Sequence, residues 1–127
     1  MSIFQLGDFT LASGLSSGWK IECDSLTPED WQALALMASE ILPPFGQVEG
    51  VPRGGIPFAD ALRQYADPQS DVLLIAEDVV TTGGSMERFR AGREAIGICV
   101  FSRGSLAEWR HHADWINAIF VLNLNRP

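Results

Sequence analysis

The stretch Val72-Leu73-Leu74-Ile75-Ala76-Glu77-Asp78-Val79-Val80-Thr81-Thr82-Gly83-Gly84-Ser85 decides how this chain folds and what it can bind. Residues 72–76 are apolar without alternation, the pattern of a strand buried on both faces, as in a sheet covered by helices on each side. Glu77 and Asp78 stand where that apolar run ends. Thr81, Thr82, Gly83, Gly84 and Ser85 follow, ahead of a helix expected over 86–94. Backbone N–H groups in a turn of small residues converge on an anion, and the hydroxyls add donors, so the segment is a phosphate cradle. No lysine is required, and the Gly-x-x-x-x-Gly-Lys-Ser/Thr spacing of the nucleotide P-loop is missing. The adjacent carboxylates suit hydrogen bonds to vicinal sugar hydroxyls, or a place near a magnesium ion carried by a polyphosphate. Acids and cradle together describe a sugar phosphate.

Outward from this strand the chain alternates. Strands are expected at 47–51, 96–101 and 118–122, with helices at 56–65, 86–94 and 106–115. Apolar strands separated by helices imply a parallel α/β sheet wound by right-handed crossovers, with ligands at the carboxyl ends of the strands. Before this array, Thr27 offers an N-cap, Pro28 suits the first helical position and Asp30 is the reciprocal capping acid. The helix they open carries Trp31, Leu34, Ala38 and Ile41 on one face, which is read as core, and Pro43-Pro44 must end it. Trp115 is read as core beside the last strand. Near the N-terminus, short strands at 9–11 and 19–23 flank the turn-rich segment 13–18, which predicts a hairpin.

Composition bounds the function. With 127 residues the prior is one domain, and 46% hydrophobic with 20% charged residues describes a packed globular chain. The net charge of −7 opposes the phosphate contacts that drive nucleic-acid binding, so no nucleic-acid partner is expected. Lys20 is the sole lysine. Neither a membrane-spanning run nor a secretory signal is read, so no membrane partner is expected and a cytoplasmic protein is. Cys23 and Cys99 lie in apolar, strand-like segments and are expected as reduced, buried thiols. Gly14-Leu15-Ser16-Ser17-Gly18 matches the nucleophile-elbow pattern, but a strand rather than a helix is expected after it. His111 and His112 are adjacent, so on a helix they point about 100° apart and do not share a metal in the usual manner.

The segment 72–85 resembles the phosphoribosyl pyrophosphate (PRPP) signature of type I phosphoribosyltransferases. The resemblance implies that Glu77 and Asp78 hold the ribose 2- and 3-hydroxyls, as the catalytic acids, and lie beside the magnesium ion that accompanies PRPP. It assigns Val79, Val80, Thr81, Thr82, Gly83, Gly84 and Ser85 to the ribose and 5-phosphate. A second segment, Gly50-Val51-Pro52-Arg53-Gly54-Gly55-Ile56-Pro57, follows a strand and opens a helix. It resembles the family's pyrophosphate loop, made by Pro52, Arg53, Gly54 and Gly55, with Arg53 as charge partner of the diphosphate. The segment 9–24 resembles the N-terminal hood of orotate phosphoribosyltransferases, which implies base contacts at Ala12, Ser13 and Gly14, while Arg103 resembles an arginine that binds the orotate carboxylate.

What this implies is a type I phosphoribosyltransferase-like parallel sheet flanked by helices, with a hood over residues 1–26 and a core over residues 27–127. The implied activity is transfer of phosphoribose from PRPP to a pyrimidine base, with magnesium, in a homodimer. One departure sets up an alternative. Orotate-type enzymes carry a long loop rich in Lys and Arg between the pyrophosphate-loop helix and the PRPP strand. Here Gln64-Tyr65-Ala66-Asp67-Pro68-Gln69-Ser70-Asp71 fills the gap with neither residue. Losing a cationic lid weakens leaving-group stabilisation and water exclusion, so a non-catalytic PRPP- or nucleotide-binding protein of the same fold is the alternative.

Overall fold

The computed structural model describes residues 2–11, 14, 16–104 and 114–123. The chain opens with an antiparallel hairpin, β1 (Phe4–Thr10) and β2 (Ser16–Ile21). Cys23 is buried, but in a 3-10 turn, Cys23–Ser25, and not in the expected strand.

Thr27 then caps helix α1 (Pro28–Ile41). Its hydroxyl accepts the Asp30 N–H at 3.1 Å, and the Asp30 carboxylate accepts the Thr27 N–H at 2.9 Å. Two donors that a helix start leaves unpaired are thereby satisfied. Trp31, Leu34, Ala35 and Ala38 are buried, whereas Ile41, expected on the same stripe, is 54% exposed. The helix ends there, and Phe45, beyond the two prolines, is the residue that returns to the core.

Four parallel strands follow in the order β3 (Gln47–Gly50), β4 (Leu73–Val80), β5 (Ile96–Gly104) and β6 (Ile116–Asn123). Because strand side chains alternate, the sheet has two apolar faces. Leu74, Ala76, Ile98 and Val100 meet α1 and α2 (Ile56–Leu62), where Phe58 and Leu62 are fully buried. Leu73, Ile75 and Cys99 meet Met86 of α3 (Gly84–Arg90), together with Trp115, which is packed beside the last strand as expected. Each fully buried Leu, Ile or Phe contributes about 1.5–3 kcal/mol over an exposed one, so both layers matter to stability.

The strands β3, β4 and β5 step in one direction across the sheet, yet α2 and α3 cover opposite faces. The two crossovers therefore have opposite hands, and one departs from the expected right-handed rule. The elements also differ in extent from expectation. β4 runs past Ala76 because β5 keeps pairing with it, Glu77 with Cys99 and Val80 with Ser102, so the acid pair lies inside the strand. β5 likewise continues along β6 and carries Arg103 within it, opposite Leu122. α2 ends at Leu62 and one 3-10 turn, Arg63–Tyr65, replaces its last turn. α3 stops at Arg90, since Ala91 and Gly92 take positive φ of 53° and 77°, which closes a helix. Most of the expected helix at 106–115, and His111 and His112, lie outside the described residues.

Candidate functional site

The register Gly50 opposite Ala76 places the exit of β3 beside the acid pair of β4. The chain then folds back as Val51-Pro52-Arg53-Gly54-Gly55. The Val51 N–H donates to the Ala76 carbonyl and the Gly55 N–H to the Val51 carbonyl, both at 2.9 Å. The Pro52–Arg53 peptide is cis. Glycine is required here by close approach: a Cβ on Gly55 would lie 2.3 Å from the Ala76 carbonyl oxygen, and one on Gly54 would lie 2.3 Å from Asp78 Oδ2. The loop is thus pressed directly against the second acid.

Beyond β4, Gly83 takes φ of 86°, the left-handed conformation glycine adopts without strain, and the Thr82 hydroxyl accepts the Gly84 N–H at 3.3 Å. Thr81, Thr82, Gly83, Gly84 and Ser85 curve around a cavity of about 190 Å³ that Glu77 and Arg88 also line. A broader cleft of about 590 Å³ adjoins it, with Val51, Pro52 and Gly54 on one side and Glu77, Asp78, Ser85 and Arg88 on the other. The two loops, 28 residues apart in sequence between Gly54 and Thr82, meet at one acid pair.

The acids differ in setting. The Asp78 N–H donates to Glu77 Oε1 at 3.0 Å, and the Val79 N–H donates to Asp78 Oδ1 at 2.7 Å. Glu77 is 7% exposed, whereas Asp78 is half-buried. Burial first, and then the neighbouring Asp78 carboxyl, push the Glu77 carboxyl up to about 9. At neutral pH Glu77 therefore carries a proton and can donate a hydrogen bond. Among the described residues no group of three or more His, Cys, Asp or Glu is placed to hold a metal ion.

Arg53 and Arg103 lie outside the lining of both hollows. Arg53 is exposed. Arg103 is 7% exposed; its Nη1 donates to the Trp19 carbonyl at 3.2 Å, its Nη2 to the Ser17 hydroxyl at 2.9 Å, and its guanidinium lies 3.5 Å over the Trp19 ring. It ties β2 to the carboxyl end of β5. Ala12 and Ser13 lie outside the described residues, and Gly14 forms a turn with φ of 87°. Ser16 opens β2, so a strand follows it and the nucleophile-elbow geometry is not made. Arg88, conversely, lines both hollows although no motif marks it. The signal was there in its spacing, since a residue three or four positions after Ser85 and Gly84 lies over the same helical turn.

The connector from α2 to β4 is stitched to the core. The Asp67 N–H donates to the Phe45 carbonyl at 2.7 Å and the Gly46 N–H to the Val72 carbonyl at 2.9 Å. Gly46 is so close that a Cβ there would lie 1.7 Å from the Ser70 carbonyl oxygen. Residues 66–72 therefore form a tight return and not a lid.

The parallel sheet, the opening hairpin and the two loops at its carboxyl end define a type I phosphoribosyltransferase-like α/β fold. Solved structures share it. The chain is similar to a UMP synthase from Leishmania donovani, with a TM-score of 0.75 and 19% identity over 94% of this chain and 34% of that one. It is also similar to the orotate phosphoribosyltransferase of Aeropyrum pernix, with a TM-score of 0.69 and 20% identity over 94% and 88% of the two chains. The orotate phosphoribosyltransferase of Mycobacterium tuberculosis H37Rv gives 0.66 and 17% over 94% and 90%. The chain thus spans about a third of the UMP synthase chain. No family model and no curated protein sequence matches it. At these identities the likeness establishes the fold. No helix among the described residues is long and apolar enough to cross a membrane.

Proposed function

We propose that the chain binds PRPP in the paired hollows and transfers its phosphoribosyl group to a pyrimidine base such as orotate. The observation that carries this reading is the convergence of two glycine-containing loops, 52–55 and 81–85, on one acid pair. In this reading the Thr81–Ser85 loop takes the 5-phosphate through N–H groups and hydroxyls, and Val79 and Val80 line its approach. Protonated Glu77 donates to one ribose hydroxyl while Asp78 accepts from the other. Pro52 and Gly54 border the diphosphate, and Arg53 and Gly55 complete the loop that presents them. Base contacts fall to the hood around Ala12, Ser13 and Gly14, with Arg103 acting beside it through Ser17 and Trp19. That two of the similar structures are orotate phosphoribosyltransferases supports the pyrimidine.

Transfer forms a bond from a ring nitrogen of the base to ribose C1, with that nitrogen's proton passing to solvent or to the departing pyrophosphate, and breaks the bond from C1 to the diphosphate oxygen. The anomeric carbon inverts through an oxocarbenium-like state and pyrophosphate leaves. The residues of this chain contribute by holding the ribose in line between base and leaving group. Magnesium fits as an ion that arrives on the diphosphate, because two carboxyl groups line the cleft and such an ion takes only one or two protein ligands. Asp78, joined by Glu77 once its proton is displaced, would hold it, and it would neutralise charge on the leaving group. The proposal includes a cytoplasmic homodimer, which mass measurement in solution tests.

A second reading, binding of PRPP without turnover, is favoured by the connector, which is stitched to Phe45 and Gly46 and holds no Lys or Arg between residues 64 and 71. Phosphorus NMR of the protein with magnesium and PRPP, adding orotate, uracil and purine bases in turn, separates the two. Base-dependent growth of the pyrophosphate signal supports transfer. A perturbed PRPP signal with no pyrophosphate supports the binding protein, and an unperturbed one removes both.

A further inference from the structure

We infer that Arg88 reads the diphosphate of the ligand, supplying from α3 the cation that the connector between α2 and β4 lacks. This rests on the phosphoribosyl reading above and names a residue of the same site. Among the described residues Arg88 is the sole Lys or Arg in the lining of either hollow, and it lines both. Its Nη2 lies 3.4 Å from the Ser85 hydroxyl, and its Nη1 lies 3.2 Å from where a Cβ on Gly84 would sit. The guanidinium therefore folds back over the mouth of the cradle.

The other described arginines are engaged or lie elsewhere. Arg63 pairs with Asp60, Arg90 with Glu87 and Arg93 with Glu49, while Arg103 is buried against the hood and Arg53 lines neither hollow. Arg88 takes part in no ion pair among the described residues.

Charge decides which phosphate it serves. The cradle has backbone N–H groups and three hydroxyls for a monophosphate. The adjoining cleft is bordered by Pro52, Gly54, Glu77 and Asp78, and among its lining residues Arg88 alone offers a diphosphate a cationic side chain. A guanidinium there can meet phosphate oxygens with two parallel donors, which an ammonium cannot. Arg88 thus discriminates a diphosphate-bearing ribose 5-phosphate from ribose 5-phosphate itself.

The test is isothermal titration of the full chain with magnesium-PRPP and, separately, with ribose 5-phosphate, for wild type, Arg88→Gln and Arg88→Lys. Arg88 is exposed, so both variants should fold, and thermal unfolding checks that they do. Arg88→Gln should weaken PRPP by roughly tenfold to a hundredfold and leave ribose 5-phosphate within about twofold. Arg88→Lys should recover part of the loss. An equal loss for both ligands assigns Arg88 to the 5-phosphate and overturns the inference, as does unchanged PRPP affinity in Arg88→Gln. A wild-type chain that binds neither ligand overturns the phosphoribosyl reading itself, so the two failures are told apart by the wild type.

Discussion

Replacing Gly54 with alanine tests whether the loop after β3 sets the position of the second acid. The added methyl would lie 2.3 Å from Asp78 Oδ2, 2.6 Å from Cγ and 2.8 Å from Oδ1. Ordinary carbon contact begins near 3.4 Å, so the carboxylate must retreat by about 1 Å. That retreat works against the 2.7 Å bond from the Val79 N–H to Oδ1. Loss of a hydrogen bond to a charged acceptor costs about 1.5–3 kcal/mol, and strain from overpacking costs about 1–3 kcal/mol. Since Asp78 can swing partway out, the lower end of each range applies, and a destabilisation of about 2–3 kcal/mol is expected. On the phosphoribosyl reading proposed above, ligand affinity should fall further than stability, because the displaced carboxylate would no longer meet the ribose. The assay is urea unfolding paired with calorimetric titration of magnesium-PRPP. Gly55→Ala is the contrast: its methyl meets the Ala76 carbonyl oxygen at 2.3 Å, which is backbone of a central strand and cannot swing aside, so it should cost more stability than Gly54→Ala. A Gly54→Ala protein with wild-type midpoint and wild-type affinity would refute the claim that this loop positions Asp78.

Two further outcomes follow from the same geometry. Glu77 titrates near 4.5 when unfolded and near 9 when folded, so between those values the folded state holds the extra proton and stability falls as pH rises. Denaturant unfolding of the ligand-free protein should show stability declining as pH rises through that window, a decline flattened in Glu77→Gln; identical pH profiles for the two proteins would count against the buried, protonated carboxyl. Thr27→Ala removes one half of the α1 capping box and should cost about 1 kcal/mol of stability, read as a shifted urea midpoint, with ligand affinity unchanged.

Features written in contiguous residues were legible in the sequence. The start of α1 followed from Thr27, Pro28 and Asp30, whose side chains pair with backbone groups three residues away. The alternation of strands and helices, and the small-residue loop after the apolar run, were legible because local periodicity and turn chemistry act over a few residues. The hairpin was legible too, though β1 begins at Phe4, well before residue 9. That the connector over residues 64–71 carries no Lys or Arg can also be read directly.

What depends on partners distant in sequence was decided by the tertiary structure. β4 extends through Glu77 and Asp78 because β5 continues to pair with it, and no local signal records that partner. Arg103 is held by Ser17 and Trp19, more than 80 residues earlier. The opposite hands of the two crossovers arise from which face each helix finds to bury. The proton on Glu77 reflects burial, and the place of Arg88 between the two hollows reflects how α3 docks on the sheet. Hydrogen-bond pairing, desolvation and helix docking join residues the chain keeps apart. The sequence alone therefore determined the kinds of loops and acids present, and only the packed sheet determined that they share one cleft and which cation faces it.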